Sequence, residues 1–260
     1  MSHILNLRMM STRGAEFSDD AVVLRNYKSG EADRIAVLWT REHGKIRVLA
    51  KGSRKANSKL GGALDPLSLV RVNLVQGKGD LYVTRNVAHL QTLPTLRASY
   101  QRISAGYAVV EGVDAIPLDD VADEGIYDLL VKVMTSLDEP QFDPTLVPAA
   151  FFLKFLAYDG SEPLLEECAG CGSPGPFYAF DAGIGGVLCE TCRRGTPLSS
   201  DTYSLLVRIL GGDLAGVLRE AEPPGGAELI HLAHAAMENH LGKRLKVARM
   251  TPTIHSVNHE

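Results

Sequence analysis

The hydrophobic period of this chain changes once, at Pro94, and that change constrains its architecture more than any other feature. Before it come five short runs rich in Val, Ile, Leu, Trp and Tyr: Ala21–Tyr27, Arg34–Thr40, Lys45–Lys51, Leu69–Val75 and Asp80–Arg85. Glycine-containing turns separate them at Ser29-Gly30, His43-Gly44 and Gly77-Lys78-Gly79, the pattern of short strands. Strands this few and short cannot make a large sandwich. A small closed or nearly closed barrel is the natural solution, because closure removes sheet edges. The basic, glycine-rich stretch Gly52–Asp65 lies between the third and fourth strands. Residues 1–20 are polar and aperiodic and read as a loose extension or an added edge segment.

After Pro94, Leu96, Tyr100, Ile103, Tyr107 and Val110 recur at three- and four-residue steps, which predicts an amphipathic helix. A second helix is expected over Asp123–Leu137, with Asp123 as N-cap, and a third over Thr145–Tyr158. The third is apolar nearly all round and belongs at the centre of a bundle. Further helices are expected over Ser199–Leu210, Leu214–Glu220 and Ala227–Leu241, with Pro223-Pro224-Gly225-Gly226 separating the last two. The fold class is therefore α+β and multidomain. Its segments are an extension (1–20), a small barrel domain (21–92), a helical domain in two parts (93–165 and 197–250), an inserted cysteine segment (166–196) and a tail (251–260).

The inserted segment holds every cysteine of the chain: Cys168-x-x-Cys171, seventeen residues, then Cys189-x-x-Cys192. Each pair presents two thiolates from one tight turn, and two such knuckles complete a tetrahedral site. This is the spacing of structural zinc. An iron–sulfur cluster would use the same four ligands. Local disulfides are disfavoured in a cytosolic chain, and a redox Cys-x-x-Cys normally stands alone. With four protein ligands the site is closed, so its role is structural.

The 260 residues fit about two domains, and 45% apolar with 22% charged residues is an ordinary globular balance. The longest apolar run, near Leu146–Ala157, is interrupted by Pro148 and Lys154 and is too short for a membrane span. No apolar h-region with a small-residue cleavage site is evident near the N-terminus, so a cytoplasmic location is expected.

Catalytic signatures are missing. The Gly-Lys pairs at Gly44, Gly77 and Gly242 lack the earlier glycine of a phosphate-cradling loop. Residues 1–50 carry no glycine-rich dinucleotide loop of the sirtuin kind. Neither the H-x-E and P-C-x-x-C of zinc deaminases nor a G-x-S-x-G elbow occurs. His231, His234 and His240 share a helical stretch but read as a solvated or packed face. Asp119-Asp120-Asp123-Glu124 reads as a loop and helix start. No enzyme activity is expected.

Charge is distributed unevenly. Residues 1–100 carry 16 Lys and Arg against 8 Asp and Glu, and the remainder 11 against 23. Such asymmetry points to a basic module for a polyanion joined to an acidic body. Alternation along Lys45–Lys51 puts Lys45, Arg47 and Lys51 on one face and Ile46, Val48 and Ala50 on the other. Arg54, Lys55 and Lys59 continue the basic stripe. Arg34, Arg71 and Arg85 are candidates on neighbouring strands, and Arg193-Arg194 extend the set beyond Cys192. Tyr82 is a candidate for base stacking, whereas Trp39 alternates with Ile35 and Val37 and fits the core better. A basic barrel groove with a few aromatics suits sequence-indifferent binding of single strands.

Several segments together resemble the bacterial RecO recombination mediators, a DNA repair family. In the barrel region they are Ala21-Val-Val-Leu-Arg25, Gly30-Glu-Ala-Asp33, Trp39-Thr-Arg-Glu-His-Gly44-Lys45, Ala50-Lys-Gly-Ser53, Gly61-Gly-Ala-Leu-Asp-Pro66 and Gly77-Lys-Gly-Asp-Leu81. Farther on they are Leu156-Ala-Tyr-Asp-Gly160, Cys168-Ala-Gly-Cys-Gly172, Gly185-Gly-Val-Leu-Cys189 and Leu241-Gly-Lys-Arg-Leu245. The resemblance spans about 21–250. It implies a five-stranded OB-fold barrel, a helical domain and, in many members, a zinc finger. It also implies binding of single- and double-stranded DNA, annealing of complementary strands, and cooperation with RecR to load RecA onto DNA coated by single-strand binding protein (SSB). A cytoplasmic, nucleoid-associated bacterial location follows. Some members meet the acidic SSB tail through the helical domain, where Lys154 or Arg208 are candidates here. A zinc-stabilised RNA- or protein-binding scaffold without annealing activity is the alternative.

Overall fold

A computed structural model of the chain describes residues 16–56, 58, 60–117 and 122–246. They form two compact units. The first holds 16–92 with Ala122 and Asp123, and the second holds the remaining described residues from Leu93 on.

The first unit is a closed five-stranded barrel. Its strands are β1 (Glu16–Ser29), β2 (Asp33–Thr40), β3 (Gly44–Ala50), β4 (Leu69–Gln76) and β5 (Leu81–Gln91), in the order β1-β2-β3-β5-β4 with β4 closing on β1. All pairings are antiparallel except the short β3–β5 pairing that seals the barrel. The long β1 serves both β2 and β4, and a register shift between Val23 and Arg25 supplies the bend that lets one strand belong to both. Alternate residues fill the interior: Ala21, Val23, Ala36, Leu38, Ile46, Val48, Ala50, Val70, Val72 and Leu74, with Leu64 inserted from the β3–β4 connection.

β1 starts at Glu16, five residues inside the stretch expected to be an extension. Those residues look unlike a strand because their side chains pair with groups distant in sequence. Asp19 is buried against the β2–β3 turn, and Asp20 faces Arg71 across β4. β5 likewise runs on to Gln91 through exposed residues that carry no alternation. The rest of the 1–20 segment and the 251–260 tail lie outside the described residues.

The second unit begins with α1 (Pro94–Ala98), α2 (Tyr100–Asp114), α3 (Glu124–Asp138) and α4 (Val147–Tyr158). The helix expected through Leu96 to Val110 is two helices, because Ser99 is extended and caps the second by accepting the Arg102 amide. Its buried face also differs from the expected one. Ala105, Ala108, Val109 and Gly112 face inward, whereas Tyr100 and Tyr107 are exposed. Size decides this: a Cβ on Gly112 would sit 2.7 Å from Phe152 Cε1, so only small residues let α2 approach the aromatic α4. α4 is buried from Val147 through Leu153 and packs against α2, α3 and the later helices.

A small sheet of order β7-β6-β8 follows, from β6 (Phe177–Asp181), β7 (Gly186–Cys189) and β8 (Thr196–Pro197). Helices α5 (Ser200–Leu210), α6 (Leu214–Arg219) and α7 (Gly226–Leu241) complete the unit, with Ser199 accepting the Thr202 amide as the α5 cap. His234 is buried edge-on against Phe152, and His240 lies 3.1 Å from Asp159. Among the described residues no helix is long and apolar enough to cross a membrane.

Candidate nucleic-acid interface and metal centre

The two Cys-x-x-Cys knuckles come together in the small sheet. One ligand atom from each of Cys168, Cys171, Cys189 and Cys192 lies within 4.8 Å of every other. The first knuckle is a tight turn in which Cys171 and Gly172 amides donate to the Cys168 carbonyl, and the second hangs from the end of β7. Gly170 leaves room there, since a Cβ would stand 3.1 Å from Cys192 Sγ and crowd the second knuckle. Cys171 and Cys189 sulfurs are 3.7 Å apart. A tetrahedron with metal–sulfur bonds of ~2.3 Å has edges of ~3.8 Å, so the donor set fits one tetrathiolate-bound ion. The acid–base chemistry agrees. The Cys189 amide donates to Cys168 Sγ and brings that thiol down to about 6. Cys192 is pushed up to about 12, foremost by its hydrogen bond with the Cys171 thiol. Four sulfurs this close cannot all ionise without a cation among them.

The cations expected to form one basic stripe are spread among different environments. Lys45 is only 7% exposed. Through the register it sits beside Trp39, which sits beside Val22, and this outward row is covered, with Trp39 Nε1 3.5 Å from the Asp123 carbonyl. Alternation gave the correct face for Lys45 but could not show that this part of the face is buried. Tyr82 also turns inward, packing edge-on against Phe17. Arg34 is paired with Asp65 at 3.1 Å, Arg47 with Asp80 at 3.2 Å and Arg71 with Asp20 at 2.7 Å. Arg194 is paired with Asp181 at 2.7 Å, and its guanidinium holds the Asp181 carboxyl below the usual range. Arg85 and Arg193 are exposed, with no ionic partner among the described residues. Lys59 lies outside the described residues.

One end of the barrel does gather cations. Arg54 reaches back to the β1–β2 turn, its guanidinium donating to the carbonyls of Gly30 and Glu31 and its amide to Ala32. The Gly52 amide donates to Asp33 Oδ1. These bonds tie the turn after β3 to the β1–β2 hairpin, where Gly30 takes a left-handed φ of 62°. The turn that carries exposed Lys51 and Lys55 is therefore at the same barrel end as Arg54, Arg34 and Lys28, together with Glu31, Asp33 and Asp65. The sequence reading missed Lys28, which is the cross-strand partner of Arg34. Like charges directly opposite are destabilising on their own, and Asp65 offsets this at Arg34. The missed signal was the hairpin itself: Lys28 and Arg34 are equidistant from its turn.

In the helical unit, Lys154 and Arg208 are already engaged. Lys154 Nζ donates to the Leu210 carbonyl at 3.2 Å, and Arg208 is held between Asp213 and Glu220.

Comparison with known proteins places this geometry. Residues 10–92 match the family model described as recombination protein O N terminal, and residues 97–249 match recombination protein O C terminal. Three similar proteins are each named DNA repair protein RecO. That of Streptomyces coelicolor is 37% identical over 244 residues, covering 90% of this chain and 97% of the relative. That of Cutibacterium acnes is 39% identical over 205 residues, covering 76% and 83%. That of Anaeromyxobacter sp. strain K is 36% identical over 243 residues, covering 90% and 94%. An OB-fold barrel, a helical unit carrying a four-cysteine cluster, and matches spanning both make this chain a member of the RecO DNA repair protein family.

Proposed function

We propose that the chain is a non-enzymatic recombination mediator that binds single- and double-stranded DNA on its barrel and anneals complementary strands. With RecR it helps load RecA onto SSB-coated DNA. The observation that supports the DNA-binding part is that the β1–β2 hairpin, carrying Lys28 and Arg34, and the turn after β3, carrying Lys51, Arg54 and Lys55, are tied together at one barrel end. Neutralising phosphates there lowers the repulsion between two strands without reading either sequence, and base pairing then supplies the free energy of annealing. The exposed Arg85 and Arg193 are further phosphate contacts.

The four cysteines bind one zinc ion with a structural role. Bound zinc supplies a cross-link between the two knuckles, and the residues around it fix their turns before the metal arrives.

The test is annealing of complementary oligonucleotides precoated with SSB, with and without RecR. Acceleration by the wild-type protein, lost on reversal of Lys28, Lys51 and Lys55 to Glu, is expected. Unchanged annealing by that variant removes the barrel end as the strand-binding surface. No acceleration by the wild type overturns the mediator reading.

A further inference from the structure

Two barrel arginines are held by carboxylates that a nucleic-acid strand has to displace. The Arg47 guanidinium is divided between two partners, with Nη2 donating to the Tyr27 hydroxyl at 2.9 Å and Nη1 to Asp80 Oδ2 at 3.2 Å. Asp80 stands on the β4–β5 turn and its side chain is 69% exposed, against 34% for Arg47. Arg34 Nη1 donates to Asp65 Oδ1 and to the Gly61 carbonyl, both at 3.1 Å, with the acid again the more exposed partner. In each pair one donor atom joins the turn-borne acid to an arginine that another protein oxygen also positions. Phosphate oxygens compete for the same guanidinium edges as carboxylate oxygens. An exposed pair of this kind is weak enough to be displaced, yet its displacement subtracts from strand affinity.

We propose that Asp65 and Asp80 act as intramolecular competitors for phosphate and so set the strand affinity of the barrel; this rests on the DNA-binding reading above. Tyr27 and the Gly61 carbonyl keep the two guanidiniums in place when the acids leave, so a phosphate meets a donor already positioned. The consequence is a surface whose phosphate contacts exchange readily. An annealing surface needs that property, because it has to release the duplex it forms.

The experiment measures binding of the full chain to a fluorescein-labelled oligo-dT by fluorescence anisotropy across a series of NaCl concentrations. The variants are Asp65→Asn, Asp80→Asn and the double variant. Glu42→Gln is the control: Glu42 lies on the β2–β3 turn, is exposed, has no side-chain ionic partner among the described residues, and its loss changes net charge equally. Each Asn variant is expected to tighten binding about two- to fivefold beyond the control, the range of an exposed ion pair. The slope of log affinity against log salt should stay near the wild-type value in every variant, because the strand contacts the same phosphates once the acids have left. Variants that bind no tighter than Glu42→Gln overturn the inference and leave the DNA-binding reading standing. A wild-type protein that does not bind the oligonucleotide at any salt overturns both.

Discussion

Asp20 and Arg71 face each other across β1 and β4 and are joined by two parallel hydrogen bonds, Nε to Oδ1 at 2.7 Å and Nη2 to Oδ2 at 2.9 Å. The carboxylate is the less exposed partner, at 22% against 59%. This forked contact lies within paired strands at the seam where the barrel closes, unlike the single-donor pairs of Arg34 and Arg47. That geometry suits holding register better than waiting for a phosphate. Arg71→Ala is therefore expected to lower barrel stability by about 0.5–1 kcal/mol in denaturant unfolding. Its effect on oligonucleotide affinity should be smaller than that of Lys51→Ala or Lys55→Ala. A larger loss of affinity than of stability would return Arg71 to the binding surface.

Asp19, one residue earlier, faces the other way. Burial works to raise its carboxyl pKa, but the His43 ring nitrogen at 2.7 Å, the Glu42 amide at 3.1 Å and Thr40 together outweigh burial and hold it below 3.8. A carboxyl lowered on folding adds stability that is present above its unfolded pKa and lost as pH falls through its folded one. Asp19→Asn should thus cost about 1–3 kcal/mol at pH 7. The difference from wild type should shrink only below about pH 4, near the unfolded value. Urea unfolding at pH 7, 5 and 3 checks this, and a difference that stays constant with pH would refute it.

Physical range explains what the sequence made legible. β2, β3 and β4 were readable because Ala36, Leu38, Ile46, Val48, Val70 and Val72 alternate into one core. The cysteine cluster was readable because each knuckle is a local turn whose spacing states its geometry. The start of β1 was hidden because Ser18, Asp19 and Asp20 gain their strand character from partners elsewhere in the chain. The cationic surface was hidden for the same reason. Arg47 and Asp80 are 33 positions apart and Arg71 and Asp20 are 51, and no periodicity reveals which charges already have counter-ions. On α2 hydrophobicity itself misled, because the interface with α4 selects for small volume over apolar area, leaving Tyr100 and Tyr107 outside.

Arg102 shows how the helical unit uses a buried charge. Its guanidinium is buried and donates to four backbone carbonyls, those of Leu137, Glu139, Pro140 and Phe142, at 2.9–3.3 Å. These include carbonyls left without helical partners where α3 ends, so the side chain closes that terminus. Arg102→Met leaves buried acceptors unpaired and should cost about 3 kcal/mol. Arg102→Lys, with a single cationic centre, should recover only part of this. Thermal unfolding of both variants measures the difference. Equal stability of the Lys variant and wild type would show that charge alone suffices.

The four cysteines allow the sharpest separation of structural from binding roles. Cys168 and Cys189 are buried in the small cluster that also holds Ala179 and Leu188, whereas Cys171 is exposed. Freshly purified protein is expected to contain one equivalent of zinc by elemental analysis, and iron in its place would identify the alternative cluster. Cys189→Ser should abolish stoichiometric zinc and unfold the segment around it, because its sulfur belongs both to the proposed ligand set and to that packing. Cys171→Ser should weaken zinc retention against a chelator with less disturbance of the sheet. Proteolysis between the knuckles, followed by mass spectrometry, reads the unfolding directly. The barrel has a core of its own, so oligonucleotide binding by Cys171→Ser should stay near the wild-type value. A parallel loss of zinc and strand binding would instead make the finger part of the nucleic-acid surface, with Arg193 the first residue to test.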